Sequence, residues 1–99
     1  AETHRLDTAL FAVHQELLHS LHKMNAYRDD ILPALEKILK ETRRAYDLGR
    51  YSYLEWQSVQ RDYLAAQNQL IDASVTAHLN AIEIERLSGV PPHATQNEE

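Results

Sequence analysis

Six histidines are the residues in this 99-residue chain best suited to hold an ion. His19 and His22 stand three apart, a spacing that puts both rings on one face of a helix within reach of a single metal. A chain that doubles back near residue 50 brings position 78 opposite position 22, and position 78 is His78. With Glu16 nearby, His19, His22 and His78 would suit zinc, cobalt or nickel. Histidines on exposed helical faces are a sufficient alternative explanation. Catalysis has less to draw on. Asp29-Asp30 and Glu83-x-Glu85 are neighbouring carboxylates, but no base or nucleophile accompanies them. Charge on solvated helical faces accounts for them, as it does for Glu36 and Lys40 four apart. The reading is a non-enzyme with no cofactor.

The other candidate site is the stretch Tyr46-Asp47-Leu48-Gly49-Arg50-Tyr51-Ser52-Tyr53-Leu54-Glu55. Gly49 follows a long run of helical periodicity and can supply the left-handed residue that closes a helix. Ser52-x-x-Glu55 is a capping-box pattern that opens the next one. A connection so short lays the two helices antiparallel. Any helical hairpin uses such a turn, but three tyrosines around it (Tyr46, Tyr51 and Tyr53) offer rigid contact area of the kind interfaces favour.

The elements that carry these residues follow from apolar spacing. A helix is expected over about 3–48, a tip over 49–52, a second helix over about 53–88, and a flexible tail over 90–99. In the first helix one seam runs through Leu10, Val13, Leu17, Ser20, Met24, Tyr27, Ile31, Ala34, Ile38, Glu41, Ala45 and Leu48. A second lies beside it through Leu18, Leu21, Leu32, Leu35, Leu39 and Tyr46. Together they form a face too wide for one partner helix. Asp29 to Pro33 is expected to kink the helix, with the seam passing through in phase. The second helix carries Trp56, Val59, Tyr63, Ala66, Leu70, Ala73, Ala77, Asn80, Ile84 and Leu87 on its seam. The fold class is all-α, a long antiparallel coiled-coil hairpin that self-associates into a four- or six-helix bundle.

Net charge is −5 with both signs dispersed, which argues against nucleic-acid binding. No cysteine is present, so thiolate chemistry and disulfides are excluded. No apolar run is long enough for a spanning helix. The chain begins with Ala1 and carries no signal peptide, so a processed protein or a piece of a larger one is expected.

The order of several short runs adds a resemblance. Ala45-Tyr46-Asp47-Leu48-Gly49, Leu54-Glu55, Arg61-Asp62-Tyr63-Leu64-Ala65-Ala66 and Ile84-Glu85-Arg86-Leu87-Ser88-Gly89 are similar to the outer-membrane efflux protein family, the TolC-type outer-membrane factors. The details resemble its cobalt–zinc–cadmium branch, and Ile31-Leu32-Pro33-Ala34 fits the segment preceding the tyrosine. The resemblance covers about residues 24 to 90. It implies the last periplasmic hairpin of a trimeric tunnel in the outer membrane of a Gram-negative cell. Such a tunnel is a passive conduit in a tripartite pump of the resistance-nodulation-division type, here for heavy-metal cations. It further implies that Tyr46, Leu48, Gly49, Arg50 and Tyr51 meet the hairpin of a periplasmic adaptor protein. Some family members place an arginine two residues after the glycine; here Tyr51 stands there and Arg50 one place earlier, which leaves the gating role open. Strands for a barrel are absent, so a fragment of a channel is implied. Two other readings stand beside it: a free-standing metal-binding helical protein, and a generic coiled-coil interaction module.

Overall fold

The computed structural model describes residues 2–89, and the side chains of all of these except 2–4 and 6. Every regular element among them is helical: α1 (Glu2–Ala26), a π-helical turn (Tyr27–Ile31), α2 (Leu32–Asp47) and α3 (Tyr53–Ser88). No helix is long and apolar enough to cross a membrane among the described residues. The expected tail lies outside them.

The chain forms two compact units. One, Lys23–Asp72, holds the end of α1, the π turn, α2, the connection and the first half of α3. The other combines Ala1–His22 with Ala73–Glu99.

In the first of these units, α3 turns Trp56, Val59, Tyr63, Ala66 and Leu70 inward, with Ala66 fully buried. The opposing side departs from the expected seam. Met24, Tyr27 and Ile31 are half-buried as the spacing predicts, but beyond the π turn Ala34, Ile38, Glu41 and Leu48 face solvent. Leu35, Leu39 and Thr42, each one residue later, are buried or half-buried in place of Ala34, Ile38 and Glu41, while Ala45 of the expected seam stays half-buried. The reason is local. Leu32 N–H reaches the Tyr27 carbonyl five residues back, which inserts one residue into the helix and rotates everything after it. Pro33 follows in the first turn of α2, where its missing N–H would otherwise have interrupted an α-helical ladder. The expectation that the first seam passes through Asp29–Pro33 in phase is thus corrected. Past the π turn the half-buried side chains include Leu32, Leu35 and Leu39 of the second seam, joined by buried Thr42, which lies on neither seam, and by Ala45 of the first.

Thr42 is buried, and its hydroxyl is satisfied by donating to the Ile38 carbonyl at 2.7 Å. Leu32 shares a groove with Gln67, Asn68, Leu70 and Ile71, while Tyr46 meets Tyr53 and Trp56, so α2 and this part of α3 are in contact.

In the second unit Leu10, Val13 and Leu17 are half-buried and Ser20 is buried. On α3, Ala73 and Ala77 are buried, and Asn80, Ile84 and Leu87 are half-buried. The buried side chains of both units are therefore small, and among the described residues no side chain is completely enclosed. Small residues let backbones approach, but each contributes little apolar area, roughly 25 cal/mol per Å2 removed from water.

Candidate functional site

The end formed by residues 44–56 is built from its backbone outward. α2 ends in a Schellman motif: Arg50 N–H donates to the Ala45 carbonyl at 2.8 Å and Gly49 N–H to the Tyr46 carbonyl at 2.9 Å. That geometry needs a left-handed residue, and Gly49 supplies it at φ 75°. Leu48 N–H donates to the Arg44 carbonyl at 3.0 Å, so the last carbonyls of α2 are partnered. The next helix starts at once. Ser52 Oγ accepts the Glu55 N–H at 3.1 Å, and Trp56 N–H donates to the Ser52 carbonyl at 3.2 Å.

Three aromatic rings fasten this turn. Tyr46 stacks on Trp56 with centroids 5.7 Å apart and planes 9° from parallel, and Tyr53 tilts against both at 6.0 Å. Gln57 Nε2 donates to the Tyr53 hydroxyl at 2.8 Å, which holds that ring. The chain direction on either side of Gly49 is set by these contacts.

What the turn leaves outside is apolar. Leu48 is 61% exposed, Tyr51 45% and Leu54 76%. Beside Leu48 lies an open groove of about 310 Å3 lined by Glu41, Arg44, Ala45, Leu48 and Arg50. A smaller one of about 180 Å3 is lined by Ile38, Glu41, Thr42, Ala45 and Tyr51.

The expected tip residues thus separate into two roles. Leu48, Arg50 and Tyr51 present side chains to solvent, while Gly49 shapes the turn. Tyr46 belongs to the aromatic fastening, with 37% of its surface left open. Sequence reading missed Leu54 and Trp56. Leu54 follows a helix N-cap at a position whose side chain the capped turn directs away from the unit. Trp56 is a seam position by spacing, and its match to Tyr46 becomes visible only once the turn is closed.

The histidines are placed differently. His19, His22 and His78 all face solvent, and among the described residues no group of three His, Cys, Asp or Glu side chains comes together to hold a metal. One acid of each neighbouring pair, Asp29 and Glu83, is held by an arginine. Arg28 Nε donates to Asp29 Oδ1 at 2.9 Å and its Nη2 to Asn25 Oδ1 at 2.8 Å. The hydrogen bond from Arg28 holds the Asp29 carboxyl below the usual aspartate range. Arg86 does the same for Glu83, with Nε donating to Oε2 at 3.0 Å.

Comparison with protein-family models, with curated proteins and with solved structures finds no match to this chain.

Proposed function

We propose that this chain is the periplasmic helical hairpin of an outer-membrane efflux channel, an antiparallel coiled coil that docks through its turn onto the hairpin of an adaptor protein. The observation that carries the docking is the exposure of Leu48, Tyr51 and Leu54 on a turn whose backbone is fixed by the Gly49 cap and the Tyr46–Trp56 stack. A rigid turn bearing large apolar side chains that its own fold leaves open is what a docking contact requires. The efflux assignment rests on the sequence resemblance. In that reading the channel is a trimer and a passive conduit for heavy-metal cations delivered by the pump. The shallow cores of both units support a need for neighbouring helices, and the isolated chain is proposed to meet it by self-association into a four- or six-helix bundle.

The test is made in the full-length protein. Replacing Leu48 and Leu54 by aspartate should abolish metal resistance while leaving the amount of folded protein in the outer membrane unchanged. Resistance equal to that of the unaltered protein would overturn the docking role.

A further inference from the structure

The groove beside Leu48 has a chemistry of its own. Apolar Ala45 and Leu48 line it together with Arg44, Arg50 and Glu41. Two arginines thus share the lining with one glutamate, on a chain whose net charge is −5. Neither arginine engages a carboxylate among the described residues, Glu41 included. The contrast with Arg28 and Arg86 is direct, since each of those is bound to an adjacent acid. Position at the C-terminus of α2 is reason enough for Arg44, because a cation there complements the helix carbonyls. It does not account for Arg50, which stands past Gly49 with its own N–H tied to the Ala45 carbonyl. That bond anchors the root of the Arg50 side chain at the mouth of the groove.

We propose that the groove receives a helix of the partner protein carrying a carboxylate one turn from a leucine-sized apolar residue. This rests on the docking reading and adds the partner's chemistry to it. The apolar side chain lies on Ala45 and Leu48, and the carboxylate is held between Arg44 and Arg50. Arginine forks suit a carboxylate better than any neutral acceptor, because two N–H donors meet two oxygens. A partner with lysine at the same place would meet two like charges, which is how such a rim rejects wrong partners.

The probe is a pair of 20-residue alanine-based helical peptides, identical except that glutamate or lysine stands four residues after a single leucine. Each is titrated into the isotope-labelled chain at low salt, and amide shifts are followed by NMR. The glutamate peptide should move the signals of Arg44, Ala45, Leu48 and Arg50 and bind at least tenfold tighter than its lysine sibling. Raising salt should shrink that ratio. The Arg44→Glu/Arg50→Glu chain should reverse the order. The milder Arg44→Gln/Arg50→Gln chain, which adds no repulsion at the end of α2, should remove the preference. Equal binding of the two peptides, binding of neither, or an order that the charge reversal leaves standing would overturn the proposal. Should cross-links from Leu54 to the adaptor form all the same, the carboxylate inference alone has failed; if they do not, the docking reading has failed with it.

Discussion

Tyr46 and Trp56, ten residues apart in sequence and on different helices, stack with their ring planes 9° from parallel and their centroids 5.7 Å apart. The contact spans the turn, so it couples the end of α2 to the start of α3. Offset stacking of this kind is worth about 0.5–1.5 kcal/mol beyond the area it buries. A double-mutant cycle with Tyr46→Ala and Trp56→Ala should return a coupling in that range, with Trp56→Ala alone costing about 2 kcal/mol because the indole is only half-buried. Denaturant unfolding of the four proteins measures it, and additive effects would mean that the stack does not fasten the turn.

Gly49 at φ 75° invites a second test. A Cβ added there would meet nothing within 4 Å, so the cost of Gly49→Ala is the left-handed backbone alone, about 1–2 kcal/mol. Gly49→Asn should cost less, since asparagine tolerates this conformation. Gly89 has the same backbone, at φ 79°, and ends α3 with its N–H on the Arg86 carbonyl at 3.3 Å. Gly89→Ala should therefore unwind only the last turn and move the main unfolding transition less than Gly49→Ala does.

The π turn makes a prediction about chain length. If it inserts one residue, removing Asp30 together with Pro33→Ala should restore a continuous α-helix and put Met24, Tyr27, Ile31, Leu35, Leu39 and Thr42 on one regular stripe. That variant should keep its helical circular dichroism and its melting temperature. Removing Lys37, by contrast, rotates Leu39, Thr42 and Ala45 off the buried face and should cost about 2 kcal/mol or more. Equal losses from the two deletions would refute the re-phasing.

The Arg86–Glu83 pair bears on acid stability. Hydrogen bonding from Arg86, with some opposition from burial, lowers the Glu83 carboxyl below its ordinary value of 4.5. A carboxyl that is lowered in the folded chain stabilises it above the unfolded value, and that contribution fades as pH falls through the folded value. The Glu83 contribution should thus be complete at neutral pH, begin to fade near the ordinary value of 4.5 and be lost as pH falls through the lowered folded value. A carboxyl-carbon NMR titration should place the Glu83 midpoint under 4.5, and Arg86→Ala should return it to the ordinary range.

Much of this fold can be read from spacing because α3 obeys one rule along its length. Each seam position from Trp56 to Leu87 that alternating threes and fours predict is buried or half-buried. The Gly49 stop and the Ser52–Glu55 start are equally legible, since each is a local need for a particular backbone or a particular side-chain oxygen. The α1–α2 side is harder. Leu32, Leu35 and Leu39 are visible as a stripe of their own, but nothing in their spacing says that they succeed Tyr27 and Ile31 instead of flanking them. That depends on whether Pro33 is met by a bend or by an extra residue in the ladder, and the two differ by a single hydrogen bond, Leu32 N–H to the Tyr27 carbonyl. At the turn, residue types suggested a contact surface, but the division between structural Tyr46 and open Leu54 depends on where the chain points after Ser52.

The docking role is tested most directly by photo-cross-linking in cells that express the full-length protein with its adaptor. A photoreactive residue is placed in turn at Leu54, at Tyr51 and at Phe11, the last being an equally open apolar position, 66% exposed, in the other unit. The account predicts cross-links to the adaptor hairpin from Leu54 and Tyr51, lost when Leu48 is replaced by aspartate, and none from Phe11. Cross-links from Phe11 alone, or from no position, would contradict it.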